Sequence, residues 1–167
     1  DIIFQPGVNE ELAATAAWGT QMIKLYDQPK IDGVFSLWYG KGPGLDRAMD
    51  AIRHANMGGS SKLGGMLLAV ADDPIGKSST LAYQSEQSLI SAGIPIFYPA
   101  NVHEVVPLGL QAYQLSRHAG ICVGLKITAD TADSSAVVDL TSLRPKFKNL
   151  SNVENVHIQK HESALDR

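Results

Sequence analysis

A glycine-rich segment, Gly40-Lys41-Gly42-Pro43-Gly44, follows one of the apolar runs of the chain. Glycine has no side chain, so three glycines at the end of a predicted strand let a ligand approach the backbone closely. The segment lacks the Gly-x-Gly-x-x-Gly spacing of dinucleotide-binding loops, because Leu45 stands where the third glycine belongs. The spacing alone leaves two interpretations open, a binding loop and a plain tight turn.

A second segment that could bind phosphate is Gly76-Lys77-Ser78, which has the last three residues of a P-loop. A P-loop also needs a glycine five residues before its second glycine, where the backbone bends around the phosphates. This chain has Ala71 at that position. We therefore expect a polar turn here rather than a nucleotide site.

Hydrolytic and metal-dependent chemistry have no matching pattern in the sequence. No Gly-x-Ser-x-Gly elbow is present, so we interpret Ser78 and Ser79 as hydrogen-bonding loop residues rather than nucleophiles. The five histidines lack metal-ligand spacing, and we expect no metal to be held by this chain. The single cysteine, Cys122, cannot form an intrachain disulfide or hold an iron–sulfur cluster by itself.

The composition indicates one α/β-sized domain, with 167 residues, 44% apolar content and a formal charge of −3. A chain of this length buries about two-thirds of its unfolded surface and folds without a disulfide or a metal. Its scattered lysines and arginines form no basic stripe for nucleic acid, and its apolar runs are shorter than the roughly 20 residues that span a bilayer. The chain begins with Asp1 rather than Met, so we expect a segment of a longer or processed cytoplasmic protein.

Four apolar runs predict strands, and four amphipathic stretches predict the helices around them. The strands are expected at 33–39, 65–71, 94–98 and 120–125, and the helices at about 9–25, 45–57, 83–92 and 102–118. Runs that are apolar on both faces are typical of parallel sheets. The alternating order therefore predicts a three-layer α/β/α fold with a mostly parallel sheet, in which ligands bind beyond the carboxyl ends of the strands.

The first predicted helix begins after Asn9, a favourable N-cap, with Glu10 and Glu11 in its first turn. Negative charge at this end complements the helix dipole, which gives both carboxylates a structural interpretation. We predict that the α/β domain covers residues 1–145. The polar, aperiodic residues 146–167 are expected to form a tail or linker.

Longer strings of the chain resemble one enzyme family. The segment 9–19 is similar to the glutamate-bearing helix of thiamine-diphosphate enzymes, and Gly42-Pro43-Gly44 is similar to a turn of their pyrimidine-binding domains. Closer still is the similarity to the indolepyruvate ferredoxin oxidoreductases and other 2-oxoacid oxidoreductases. It is carried by the segment 4–16, by Trp38-Tyr39-Gly40-Lys41-Gly42-Pro43-Gly44-Leu45-Asp46-Arg47, and by Lys77-Ser78-Ser79-Thr80 followed by Gln84-Ser85-Glu86. The resemblance covers about residues 3–140. At Pro74-Ile75-Gly76 the chain departs from the family pattern, which has a His or another small polar residue there. This departure affects the expected substrate more than the expected cofactor.

The resemblance implies a catalytic role for Glu10, whose carboxyl group would exchange a proton with the cofactor's aminopyrimidine in a partly apolar, water-poor site. Glu11 is the alternative if the register slips by one residue. The positions that the resemblance or their place in the chain assigns to cofactor binding are Asn9, Gly40, Gly42, Pro43, Gly44, Asp46, Asp72, Asp73, Ser78, Ser79 and Gln84.

The family also implies groups and partners outside this chain. The Gly-Asp-Gly that holds the diphosphate through Mg²⁺ is absent from the sequence, so we expect a diphosphate-binding domain of the same or a neighbouring chain to supply it. Iron–sulfur clusters, coenzyme A, ferredoxin and a 2-oxoacid substrate are implied elsewhere in the assembly, which we expect to be a homo-oligomer. A non-catalytic dimerisation or regulatory module of the same fold is the alternative function, and an unrelated nucleotide-binding domain is the third.

Overall fold

The computed structural model describes residues 2–139 and 141, which form an α/β fold around a four-stranded sheet. The strands are β1 (Phe35–Lys41), β2 (Gly65–Asp72), β3 (Ile96–Phe97) and β4 (Cys122–Thr128), and the helices are α1 (Glu10–Gly19), α2 (Gly42–Gly58), α3 (Glu86–Ser91), α4 (Val102–Ala119) and α5 (Ala129–Ala132). The strand order is β1-β2-β4-β3, and all three pairings are parallel. The predicted α/β class and parallel sheet are therefore confirmed.

Two apolar clusters place helices on both faces of the sheet. On one face, Ala14 of α1 and Ile52 of α2 pack with Met66 and Leu68 of β2. On the other face, α4 packs against residues of β2 and β4 that include Leu67, Val123 and Leu125. Alternate residues of β2 thus serve opposite layers, as strand geometry requires. This arrangement is compatible with the predicted three-layer fold.

The expectation that the strands are apolar and buried on both faces is correct for β2 and β4 but wrong for β1. β1 is an edge strand, and its side chains alternate between buried and exposed. Ser36 and Trp38 are buried beneath α1 and α2, whereas Phe35, Leu37 and Tyr39 are each more than half exposed. Helix α4 covers the central strands and reaches β1 only through Tyr113, which contacts Phe35 and the Ser36 carbonyl, so Leu37 and Tyr39 stay exposed.

Helix α1 ends at Gly19, six residues before the predicted boundary. The helix ends where the buried side chain of Gln21 contacts the residues at the starts of β1 and β2. Its Nε2 donates to the carbonyls of Val34 at 3.1 Å and Gly65 at 3.3 Å, and its Oε1 accepts the Ser61 N–H at 3.2 Å. These bonds tie the end of α1 to the starts of β1 and β2, in addition to the bond by which the Val34 carbonyl accepts the Gly65 N–H at 3.1 Å.

Helix α2 begins at Gly42, three residues before the predicted boundary. Proline is favoured in the first turn of a helix, where its missing N–H has no partner to lose. Pro43 occupies that turn, so Gly42-Pro43-Gly44 is the start of a helix rather than a free loop. Gly40 and Lys41 belong to β1, and the chain passes from strand to helix without an intervening loop.

The buried side chain of Asn56 on α2 joins three elements. Its Nδ2 donates to the Ala92 carbonyl at 2.8 Å after α3, and its Oδ1 accepts the Cys122 N–H at 3.0 Å at the start of β4. These contacts fix the spacing between α2 and the far half of the sheet. No helix within residues 2–139 is long and apolar enough to cross a membrane. The tail predicted at 146–167 lies outside the described residues.

Candidate functional site

The segments chosen from the sequence meet at the carboxyl ends of the strands. Lys41 and Ala71 are partners at the ends of β1 and β2, and Asp72 and Thr128 are partners at the ends of β2 and β4. Parallel strands bring such ends to one edge of the sheet. The first turn of α2 and the loop from Asp73 to Ser85 both start from this edge.

Glu10 lies against the first turn of α2. Gly44 leaves it room, since a β-carbon on Gly44 would stand 2.6 Å from Glu10 Cγ. The indole Nε1 of Trp38 donates to the Glu10 carbonyl at 3.0 Å, and the Arg47 guanidinium is 3.9 Å from its carboxylate. The side chain of Glu10 is 46% exposed, so the described residues enclose it on one side only. The water-poor surroundings expected for this carboxyl group are not provided by these residues alone.

The two residues next to Glu10 in the sequence have different surroundings. Asn9 is the N-cap of α1 and accepts the Leu12 N–H at 2.9 Å. Glu11 is exposed, and its carbonyl accepts the Thr15 hydroxyl at 2.9 Å. The contact with Gly44 belongs to Glu10.

Tyr83 covers the same turn of α2 from the loop. A β-carbon on Gly42 would lie 2.1 Å from the Tyr83 ring, so only glycine allows this packing. The Tyr83 hydroxyl donates to Asp46 at 2.6 Å, and the Ser88 hydroxyl donates to the other Asp46 oxygen at 3.3 Å. The bond to Asp46, together with partial burial, raises the pKa of Tyr83 above its ordinary value. The phenol therefore keeps its proton at neutral pH and is the donor in the hydrogen bond to Asp46.

Asp72 lies in a buried polar cluster at the end of β2. It accepts the Ser85 N–H at 2.8 Å and also the Ser85 hydroxyl, and the Lys126 ammonium is 3.3 Å away. Lys126 also pairs with Glu86, and this hydrogen bond holds the pKa of Glu86 below its usual range. Burial works against the charge on Lys126, but hydrogen bonds to Glu86 and Asp72 raise its pKa above the ordinary value. Asp72 thus anchors the start of α3.

Asp73 shapes the loop that follows β2. Its carboxylate accepts the backbone N–H groups of Ser78 at 2.5 Å and Lys77 at 2.9 Å. The Ser78 N–H is the main cause that lowers the pKa of Asp73. The backbone carbonyl of Asp73 accepts the Tyr83 N–H at 3.2 Å, and this bond closes the base of the loop. The Lys41 ammonium then donates to the Ser78 carbonyl at 2.7 Å and ties the loop to the end of β1.

An open pocket of about 320 Å³ lies between the start of α2 and this loop. This volume is at the lower end of the range for small-molecule sites. Its lining combines one cation, several hydroxyls and apolar walls, and no carboxylate is among the lining residues. These are Lys41, Pro43, Ser78, Ser79, Thr80, Leu81 and Tyr83.

The structure brings most of the sequence-predicted site residues to one edge, but it uses them differently. Glu10 contacts Gly44, Gly42 contacts Tyr83, and Pro43, Ser78 and Ser79 line the adjoining pocket. The carboxylates of Asp46, Asp72 and Asp73 are engaged within the chain, and Gly40 packs on the Trp38 ring. Gln84 is an exposed residue of the loop.

The sequence reasoning did not single out Trp38, Arg47, Tyr83 or Lys126 as site residues. Trp38 and Arg47 belong to the glycine-rich string, so their contacts with Glu10 could have been sought there. Lys126 directly follows the apolar run 120–125 and precedes Ile127, and a charged residue between apolar ones indicates a buried ion pair. Tyr83 carries no such indication, because its contacts are with residues about 40 positions away.

Neither the models of protein families nor the curated proteins give a match to this chain. Among residues 2–139 and 141, no group of three or more His, Cys, Asp or Glu side chains could hold a metal ion. The functional interpretation accordingly depends on the geometry of the site and on the resemblance of its motifs.

Proposed function

We propose that this chain is the pyrimidine-binding half of a thiamine-diphosphate-dependent 2-oxoacid:ferredoxin oxidoreductase of the indolepyruvate type. The observation that carries the proposal is the contact between Glu10 and Gly44. These residues belong to two motifs, more than 30 positions apart, that the resemblance assigns to one aminopyrimidine site. Their packing at the carboxyl edge of a parallel sheet is the arrangement that such a site requires.

The residues present fit an aminopyrimidine ring in one respect, the carboxyl group of Glu10. The backbone of the first turn of α2 is not open to a ligand, because Gly42 is buried under the Tyr83 ring and Gly44 under Glu10 Cγ. Glu10 offers a carboxyl group beside this turn, and the Trp38 indole fixes the backbone of Glu10 through its carbonyl. When bound, the cofactor supplies a carbanion that adds to a carbonyl compound. Glu10 contributes by exchanging a proton with the ring nitrogen of the aminopyrimidine.

Glu10 needs a second surface to exclude water. Its side chain is nearly half exposed, and its neighbour Arg47 is also exposed. A carboxyl group in water stays ionised at neutral pH, whereas a desolvated one can hold a proton. The diphosphate-binding partner domain, with its Mg²⁺, would cover this face and complete the site. Electron transfer to ferredoxin through iron–sulfur clusters, and transfer to coenzyme A, belong to other parts of the assembly.

The 2-oxoacid belongs in the pocket next to the first turn of α2. The ammonium of Lys41 has two protons left after its bond to Ser78 and can receive a carboxylate. Pro43, Leu81 and the Tyr83 ring provide apolar walls for a side chain of aryl type. The pocket therefore favours an acid with an apolar side chain over one with a second charge.

The alternative function is a non-catalytic dimerisation or regulatory module with the same fold. One observation favours it, namely that the carboxylates of Asp46, Asp72 and Asp73 are all engaged inside the chain. Such bonds stabilise a fold without requiring a ligand. The two functions differ in what they demand of Glu10, because only the enzyme needs its carboxyl proton.

The deciding experiment measures the exchange of the C2 proton of thiamine diphosphate for deuterium by NMR. It uses the intact protein with its diphosphate-binding partner and Mg²⁺, and compares the wild type with Glu10→Gln and Glu11→Gln. We expect Glu10→Gln to slow exchange by about 10²-fold or more with the fold retained. Normal exchange in Glu10→Gln together with slow exchange in Glu11→Gln would move the role to Glu11. Normal exchange in both variants would exclude the enzyme in favour of the non-catalytic module.

A further inference from the structure

We propose that Tyr83 is a positioning residue for Glu10 and acts on it through the first turn of α2. The inference rests on the function proposed above and gives Tyr83, there only a wall of the substrate pocket, a second role. Tyr83 and Glu10 lie on opposite sides of one helical turn. Tyr83 packs on Gly42, and Glu10 packs on Gly44, with Pro43 between the two glycines.

Tyr83 holds α2 at two successive points. Its ring covers Gly42, where a β-carbon would come within 2.1 Å of the ring. Its hydroxyl reaches Asp46, four residues further along the helix, at 2.6 Å. Residues four apart lie on the same face of a helix, so one side chain spans the first turn from end to end. A contact of this kind fixes both the height and the rotation of the turn.

The position of Tyr83 is itself determined by the loop. Its N–H donates to the Asp73 carbonyl, and the Asp73 carboxylate holds the opposite end of the loop through Lys77 and Ser78. Tyr83 therefore stands at the closed base of the loop, next to the end of β2. The backbone of Tyr83 is thereby held next to α2, and the hydroxyl bond to Asp46 fixes the direction of its side chain.

The stem of Glu10 depends on the turn as its wall. Gly44 is the surface on which Glu10 Cγ lies, and the Trp38 bond fixes the backbone of Glu10 but not its carboxylate. A shift of the turn towards the loop would remove this wall. A proton exchange requires donor and acceptor at hydrogen-bond distance, so a displacement of about 1 Å can cost about 10²-fold in rate.

Phenylalanine in place of Tyr83 tests the hydroxyl, and leucine tests the whole ring. In the protein with its partner domain and saturating thiamine diphosphate, we expect Tyr83→Phe to slow C2 exchange about 3- to 10-fold and Tyr83→Leu more than about 10-fold. In Tyr83→Phe, which keeps the ring on Gly42, the dissociation constant of the cofactor and the unfolding temperature should change little. We expect Asp46→Ala combined with Tyr83→Phe to lose no more than the larger single effect, because both remove one bond.

Tyr113→Phe is the matched control. Tyr113 packs on the opposite face of the sheet, where its hydroxyl donates to the Ser36 carbonyl at 3.2 Å and its ring meets Phe35. The same loss of a tyrosine hydroxyl should leave C2 exchange unchanged there. Equal losses at Tyr83 and Tyr113, or a loss that follows the folded fraction, would mean that Tyr83 only stabilises the fold.

A second measurement is independent of cofactor chemistry. In the isotopically labelled chain, we expect the side-chain resonances of Glu10 to shift on Tyr83→Leu and not on Tyr113→Phe. Unshifted Glu10 resonances in Tyr83→Leu would overturn the inference. The outcome is separable from the proposed function, because slow exchange in Glu10→Gln with normal exchange in both Tyr83 variants refutes the positioning role alone.

Discussion

The substitution Gly44→Ala should slow the proton exchange at Glu10 while it leaves the stability of the fold nearly unchanged. The β-carbon of Gly44→Ala would stand 2.6 Å from Glu10 Cγ, and 3.3 Å from its Cδ and Oε1. Ordinary contacts of this kind are 3.4–4 Å. The stem of Glu10 must therefore move by about 1 Å, and a half-exposed side chain is free to do so by rotating into solvent.

The cost of this movement to the fold is small. Alanine is favoured over glycine inside a helix by about 1 kcal/mol, and Gly44 is not among the glycines with positive φ. Displacing Glu10 from its rotamer costs about 0.5–1.5 kcal/mol in the opposite direction. The two effects offset each other, so we expect the free energy of unfolding to stay within about 1 kcal/mol of the wild-type value. The proton exchange that the proposed function assigns to Glu10 should nevertheless fall about 10²-fold.

The assay pairs urea unfolding of the chain with C2 exchange in the protein assembled with its partner and cofactor. Gly109→Ala on α4 is the matched control, because its β-carbon would meet Leu125 at an ordinary 3.7 Å. We expect Gly109→Ala to leave exchange unchanged. Normal exchange in Gly44→Ala would show that Glu10 does not work from the position described. A loss of stability well beyond about 1 kcal/mol would refute the claim that Glu10 can move freely.

Two further predictions concern the fold. Asn56→Leu should lower the free energy of unfolding by about 2–4 kcal/mol, because it removes the hydrogen bonds of Asn56 to the Ala92 carbonyl and the Cys122 N–H. Urea titrations measure this change, and a change below about 1 kcal/mol would contradict the prediction. Asp73 has a folded pKa below its ordinary value of 3.8, so its contribution is present above that pH and is lost as pH falls through the folded pKa. Unfolding measured at pH 7 and pH 3 should therefore show a smaller pH dependence in Asp73→Asn, and an equal dependence would exclude the role given to its hydrogen bonds.

The order of elements could be predicted from the sequence because it depends on local patterns. The runs at β2 and β4 are apolar throughout, and their lengths and boundaries are close to those expected. The edge position of β1 could not be predicted, because alternate burial there depends on where α4 lies. The early end of α1 depends on Gln21, whose partners are up to 44 residues away.

Site residues that belong to a continuous sequence motif could be predicted, whereas those that come together only through the tertiary structure could not. Glu10 and Gly42-Pro43-Gly44 stand in recognisable motifs, and the structure brings them into contact. The predicted start of α2 is three residues too late, because Gly42, Pro43 and Gly44 have weak helix preference. Proline is nevertheless favourable in the first turn of a helix, where Pro43 lies. Tyr83 could not be predicted, because its neighbours in the sequence do not indicate that its side chain spans the first turn of α2.

The strand order determines when the sheet can be completed during synthesis. β3 pairs only with β4 in the described sheet, and β4 also forms the second ladder of β2. Until residues 122–128 leave the ribosome, the nascent chain can form only the parallel pair of β1 and β2, and a two-stranded sheet is marginal by itself. The open edge of β2 is meanwhile a template for pairing with other chains. A ribosome that stalls within α4 would therefore hold an unfinished, aggregation-prone half of this sheet.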